Sequence, residues 1–362
     1  MNAGARTNAY ARTGMPDEGI GPGARGDRLR PGSTAVRSTN RAVGEIATPT
    51  ELMVLRLTSD DAEIVGVDYI GCVRRWDRVL GQPLSDPVQV HARTVFAMVL
   101  TPDDREIVIG GGDGVLRRWD RVDGAPLGEP LIGHQLRVRG LAVTRDGREL
   151  VSTSQDGTVR RWDRAAGSPL GEPLRGHAGT VRAVALGADE DVIVTAGQDG
   201  TVRRWNRSAG TPIGEPLLGH SGPIQALAAA PDGRIVASGG RDGTVRRWDL
   251  GSGRPVGPPL VLDSPVWSVL LTSDGEIAAG SAHGLLHRWD RTGQRIGAAV
   301  AAHTWGVPSL AVTRDESELV TCGWDRGIRR WARVTGKPTR SARKETRIEL
   351  VPRLEITGTT PF

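Results

Sequence analysis

The stretch DGTVRRWD at residues 156–163 returns as DGTVRRWN at 199–206 and again as DGTVRRWD at 242–249. Looser copies end at Trp76, Trp119, Trp289 and Trp331, so seven tryptophans follow one another at intervals of 43, 43, 43, 43, 41 and 42 residues. Self-similarity at a period of this size marks an array of small structural units, each burying its apolar face on its neighbours. A 362-residue chain that would otherwise suggest two or three domains is therefore read as one array, residues 41–341, flanked by residues 1–40 and 342–362.

Around Trp162 the residues fall into short runs divided by turn signals. Val138 to Thr144 alternates as a strand does, Arg145-Asp146-Gly147-Arg148 is a hairpin signal, and Glu149 to Ser154 is a second strand. Asp156-Gly157 then turns the chain into a third strand, Thr158 to Asp163. A fourth is predicted at Pro169 to Leu174, with counterparts at Pro126 to Leu131 and Pro212 to Leu217 and looser ones at Pro83 to Val88 and Pro255 to Leu260. Proline cannot donate to a ladder, so this strand belongs at the outer edge of each sheet. Four antiparallel strands repeated seven times predict an all-β, seven-bladed propeller.

Residues 1–40 are rich in Gly, Arg, Pro, Ser and Thr without periodicity and are expected to be disordered. Their Arg25-Gly26-Asp27 is a tripeptide that arises readily by chance in such a segment. Net charge is +5, carried almost wholly by Arg interleaved with Asp and Glu, which permits anionic partners without requiring one. Cys72 and Cys322 are too few for a disulfide framework and are expected as buried, reduced thiols. No apolar run reaches membrane-spanning length and no secretory leader is evident, so a soluble, cytoplasmic protein without a membrane partner is expected.

The repeats resemble the WD-repeat (WD40-type) β-propeller family over about residues 42–340. The resemblance rests on a Gly-His pair, a Ser or Thr, a turn Asp and the closing Trp-Asp: Gly133-His134, Ser152, Asp156 and Trp162-Asp163 in one repeat. The next carries Gly176-His177, Thr195, Asp199 and Trp205-Asn206, and the one after it Gly219-His220, Ser238, Asp242 and Trp248-Asp249. His303, Thr321, Asp325 and Trp331 keep all four members, although Ala302 and Ala332 replace the flanking Gly and Asp. In the family these residues form a hydrogen-bonded chain inside each blade, and the near-identical GTVRRW runs resemble bacterial WD repeats. Three repeats depart from the pattern and are expected to be held by packing, the first and sixth most weakly. They carry Ile109 beside His91 and Asp113, Ala279 and His283 before Trp289, and Gly66 and Ile70 before Trp76. Three segments compete to close the ring: Ala42 to Thr48, Lys337 to Ser341, and the alternating run Arg347 to Ile356.

Recurring His, Asp and Ser might suggest hydrolysis, but a catalytic triad occurs once per site, whereas this set recurs at fixed period inside strands. The histidines are likewise spread over different blades, so no metal site is expected. No phosphate-binding Gly-x-x-x-x-Gly-Lys-Ser/Thr loop occurs, and no cofactor is expected. The doubled arginines, Arg74-Arg75 to Arg329-Arg330, are expected to form an ionic lattice between blades with Asp77, Asp120, Asp163 and Asp249. Nucleic-acid binding by these arginines is a weaker alternative, because no aromatic platform is interleaved with them.

Two positions vary while the scaffold repeats. One holds Met53, Phe96, Arg139, Arg182, Gln225, Trp267 and Pro308; the other holds Tyr69, Gly112, Gln155, Gln198, Arg241, Ala282 and Trp324. The resemblance places both on the narrower face, the usual docking surface. Met53, Tyr69, Phe96, Trp267, Trp305 and Trp324 make one half aromatic, opposite Arg139, Arg182 and Arg241. This pattern predicts a non-enzymatic, monomeric scaffold that binds another protein or peptide on its aromatic half. A small-ligand or glycan-binding propeller is the alternative from another class.

Overall fold

A computed structural model describes residues 42–333 except 93, 188 and 189. The expectations for residues 1–40, for Lys337 to Ser341 and for 342–362 fall outside the described residues. The fold is all-β, and its strands form seven antiparallel sheets in which each chain segment adds strands from the inside outwards. In blade three these are Val138–Val143, Glu149–Ser154 and Thr158–Asp163, followed by Ser168–Pro169. Each innermost strand packs on the innermost strands of the blades before and after it, and the strands of blades seven and one close the circle.

Closure uses the first of the three candidate segments. Ala42–Ala47 pairs antiparallel with Gly327–Ala332, so the N-terminal strand becomes the outer strand of blade seven. Leu52, Leu55, Ile64 and Trp76 of blade one share a buried cluster with Ile46, Val320, Cys322 and Ile328 of blade seven. Equivalent clusters of Val, Leu, Ile, Ala and one Trp fill five of the other seams, and Val, Ile and Met98 fill the one between blades one and two, which is where thin sheets with little aromatic content bury their apolar faces.

The outer strand differs from expectation. Instead of one run from Pro169 to Leu174, it touches the sheet at two short places, Trp162 opposite Pro169 and Val159 opposite Leu174. Gly171 between them has φ +72°, a conformation that breaks a strand and suits glycine. In blade two, only bridges at Trp119–Pro126 and Leu116–Leu131 remain of the fourth strand.

The ionic lattice exists with different partners. Asp77, Asp120 and Asp163 face their own turns, accepting N–H groups of residues two or three further on, and Asn206 does the same for Ala209 at 2.7 Å. After five of the seven tryptophans the arginine two residues on instead reaches back to the preceding blade, to a Glu at or just before the start of the second strand. Arg78 meets Glu318 at 2.6 Å, Arg207 meets Glu149 at 2.7 Å and Arg333 meets Glu276 at 2.9 Å, while Arg121 pairs with Glu63 and Arg164 with Glu106. Between blades four and five the same two positions are Val192 and Leu250, which share one apolar cluster. The second arginine of each doublet reaches forward to a carbonyl of the next blade, as Arg204 does to Leu250 at 2.7 Å and Arg330 to Arg78 at 2.7 Å. Guanidinium groups thus satisfy backbone acceptors across the seams.

Candidate functional site

The recurrent polar residues meet inside the blades. Trp162 Nε1 donates to Ser152 Oγ at 2.8 Å, Ser152 Oγ lies 2.8 Å from His134 Nε2, and His134 Nδ1 lies 3.0 Å from Asp156. An indole N–H can only donate, so the hydroxyl hydrogen is free for Nε2, which leaves the Nδ1 proton for the carboxylate. Thr195 joins His177 and Trp205 at 2.8 Å each, and Ser238 joins His220 at 2.7 Å and Trp248 at 2.8 Å. Thr321 lies 2.7 Å from His303 and 3.0 Å from Trp331 Nε1. Asp199, Asp242 and Asp325 face their histidines at 3.0, 2.9 and 2.8 Å. Gly133 is required beside His134, since a Cβ there would come within 2.9 Å of the Trp162 ring and 3.0 Å of Arg160.

The irregular blades replace this chain in different ways. In blade two, Ile109 is buried where the hydroxyl would be, Trp119 Nε1 has no hydrogen-bond partner, and His91 turns its Nε2 to Asp113 at 3.1 Å. Blade one is not held by packing alone. Asp68, two residues before Ile70, accepts N–H groups from Ile70 and Cys72 at 3.1 and 2.8 Å and the Thr50 hydroxyl at 2.6 Å, and it pairs with Arg74. In blade six the buried His287 lies parallel to the Trp289 ring, centroids 5.7 Å apart; it is a residue sequence reasoning passed over in favour of the exposed His283. Cys322 is buried as expected, and burial pushes its thiol up to about 12, whereas Cys72 is half-exposed with its thiol 2.9 Å from Gln89.

Burial opposes ionisation of Asp156, Asp199 and Asp325, yet hydrogen bonds from their histidines and from neighbouring N–H groups outweigh it and hold each carboxyl far below the ordinary range. Burial also lowers His220, against the pull of Asp242, and lowers His287, aided by Arg295 and opposed by Asp263. All these folded values lie below the unfolded ones, so each contribution is complete above the unfolded pKa and is lost as pH falls. The melting temperature is expected to hold at neutral pH, decline below about 6.5 as the histidines protonate in the unfolded chain, and drop further below about 4. A thermal melt series from pH 8 to 3 checks this; a flat profile between pH 7 and 5 would contradict the histidine part, and His287→Phe should remove some of it.

The variable mouth positions are placed by a repeated backbone device. Met53, Phe96, Arg139, Arg182, Gln225 and Trp267 each sit where the innermost strand skips one residue in its pairing with the second. A bulge leaves the extra residue unpaired and re-aims its side chain. Trp267 packs edge-on against Trp324 with ring centroids 5.3 Å apart, which shows that the bulge position and the turn position share one surface. Arg139 lies over the Phe96 ring at 4.3 Å, so the basic and aromatic halves interlock there.

Exposure separates these residues. Trp324 is only 9% exposed and has Gly306 packed on its ring, so it is a support of the mouth and not a free docking side chain. Trp305 and Tyr69, at 46% and 44%, project into solvent; Met53, Phe96, Trp267, Arg139, Arg182 and Arg241 are half-buried. Among the described residues no group of His, Cys, Asp and Glu is arranged to hold a metal ion. No helix is long and apolar enough to cross a membrane.

The WD40 family, described as WD domain, G-beta repeat, matches residues 124–163, 167–206, 210–249 and 296–332. The chain belongs to the WD40-repeat family. The four matched segments cover the blades with complete polar chains, and the three remaining blades of this WD40 propeller are those whose polar chains are altered. No curated protein matches the chain. WD40 propellers are commonly non-enzymatic scaffolds that bind other proteins.

Proposed function

We propose that this WD40 propeller is a non-enzymatic, cytoplasmic interaction scaffold that docks another protein or peptide on the mouth carrying Trp305 and Tyr69. The observation that supports the reading is the exposure of these two large aromatics, whereas the tetrad residues satisfy one another internally. Exposed Trp and Tyr are the residue types that most often form the hot spots of protein interfaces. The second arginines of the doublets reach carbonyls and carboxylates of the scaffold, which weighs against a nucleic-acid reading. The uniform central repeats fit a bacterial origin, with a signalling partner acting in trans.

Trp305→Ser combined with Tyr69→Ser should leave the melting temperature within about 2 °C, because exposed positions contribute little to stability. In affinity capture from the native cell, a protein retained by the wild type should be lost by the double variant. Equal retention by both would contradict the assignment of this face. Trp324→Ala is unsuited as the probe, since truncating a buried indole costs about 3–5 kcal/mol.

A further inference from the structure

In blades three to five the first arginine of each doublet lies opposite the hydroxyl of the second strand, Arg160 facing Ser152, Arg203 facing Thr195 and Arg246 facing Ser238. Their counterparts in three other blades have carboxylate partners. Arg74 pairs with Asp68, Arg117 with Asp113 at 2.9 Å, and Arg329 with Asp325 at 2.7 Å and Glu45 at 2.6 Å. Arg160, Arg203 and Arg246 form no ion pair among the described residues, and the Nε of each is buried without a hydrogen-bond partner. The residue two places after the turn Asp accounts for the difference. In blades three to five it is Thr158, Thr201 or Thr244, whose hydroxyl donates to the carboxylate at 2.6, 3.0 and 2.9 Å. In blade seven it is Gly327, where a Cβ would come within 3.1 Å of Arg329 Nη1 and 3.2 Å of Asp325. In blade two it is Val115, which has no hydroxyl. Where threonine takes the acceptor, the arginine is left without an anion.

These three guanidiniums repeat at one register of consecutive blades, beside the glycine that precedes each tetrad histidine. A Cβ at Gly133, Gly176 or Gly219 would come within 3.0, 3.0 and 2.7 Å of the Nη1 of Arg160, Arg203 and Arg246. Gly176 and Gly219 are exposed, as are the adjoining Ile132 and Leu218, at 75% and 74%, and the three arginines are half-buried. This margin of the disc thus carries unneutralised cations beside exposed aliphatic side chains. We propose that it binds an acidic segment of another protein, in which Asp or Glu residues separated by aliphatic ones pair with Arg160, Arg203 and Arg246. The guanidinium fork matches a carboxylate, and a partly buried cation gains from an anion that its own blade withholds. Stacked sheets lie about 10 Å apart, so an extended segment needs at least about three residues from one cation to the next. Glu172 and Glu215, exposed on the outer edges of blades three and four, form no ion pair with these arginines. Large exposed aromatics are confined to Tyr69 and Trp305, in blades one and seven, so this margin offers no stacking platform for nucleic-acid bases. The surface does not depend on the docking face proposed above.

The test titrates the whole chain into fluorescein-labelled peptides, repeats of Glu-Leu-Ser or of Gln-Leu-Ser, and into a thymidine oligonucleotide, reading anisotropy at about 50 and about 200 mM sodium chloride. The Glu peptide should bind, more weakly at the higher salt, and the Gln peptide should not. Arg160→Gln, Arg203→Gln and Arg246→Gln together should weaken binding about tenfold or more. Arg145→Gln, Arg148→Gln and Arg234→Gln remove the same charge from exposed turns between the first and second strands of blades three and five, and should change it less than about twofold. Thr158→Val, Thr201→Val and Thr244→Val keep every charge but release the turn carboxylates to the arginines, as in blade two, and should also weaken binding. Trp305→Ser with Tyr69→Ser should bind the peptide as the wild type does. Equal weakening by the two arginine triples, equal binding of the Gln peptide, or no binding by the wild type would overturn the site. Thymidine bound more tightly than the Glu peptide, and lost with the same three arginines, would overturn the protein partner in favour of a nucleic acid.

Discussion

Glu276→Ala is expected to lower the unfolding free energy by about 3 kcal/mol, because it breaks two buried ion pairs at once. Glu276 lies just before the second strand of blade six, Ile277–Ser281, and holds two buried arginines at once. Arg288 of its own blade grips it through Nε at 2.5 Å and Nη2 at 2.9 Å, and Arg333 of blade seven reaches it through Nε at 2.9 Å. All three side chains are almost fully shielded from solvent, so water does not replace the lost carboxylate well, although Arg333 keeps Asp274 at 2.5 Å and Glu316 at 3.3 Å. The same seam position is apolar between blades four and five, where Val192 and Leu250 take the two roles. Replacing both partners can therefore be tolerated, whereas removing one is not. Urea titration followed by tryptophan fluorescence measures the change; a loss below about 1 kcal/mol would show that the lattice has little energetic weight.

Thr195→Val should cost about 2–4 kcal/mol, summing the penalties for two orphaned buried groups. Its hydroxyl is the shared atom between His177 Nε2 and Trp205 Nε1, 2.8 Å from each, and valine fills the same space without bonding to either. Thr195→Ser should be nearly neutral, because Ser152 and Ser238 perform this role in the adjoining blades at closely similar distances. Blade two shows the end point of the loss: Ile109 replaces the hydroxyl and Trp119 Nε1 is left without a partner. Chemical denaturation of both variants separates a hydroxyl effect from a packing effect, and an equal loss in Val and Ser variants would contradict it.

The blade count, the three long strands around Trp162 and the tetrad positions were legible because the 43-residue spacing repeats geometry as well as residues. Substituted functions were harder to see. Asp68 stands two residues before the place where a turn Asp was sought, and Glu63, Glu106, Glu149, Glu276 and Glu318 pair with arginines some 57–58 residues away that belong to the next blade, except for Glu318, which meets Arg78 across the closure. Partners so distant in sequence follow from the ring and not from any local spacing. Trp324 and Trp305 look alike as tryptophans outside the repeat motif, and only packing distinguishes the supporting ring from the exposed one.

Closure of the ring is what turns seven weakly self-sufficient sheets into one cooperative body. Ala47 faces Gly327 across the closing pair, and the bond from Thr48 N–H to the Arg326 carbonyl at 2.7 Å makes them a non-hydrogen-bonded pair with closely spaced side-chain positions. A chain carrying Ala47→Cys and Gly327→Cys, with Cys72 and Cys322 replaced by Ser and Ala, measures this contact by mild oxidation and peptide mapping. A monomeric product joined through residues 47 and 327, melting above its reduced form, is the predicted result. Free thiols at both positions under oxidising conditions, or links only between separate chains, would contradict a ring closed by its first strand.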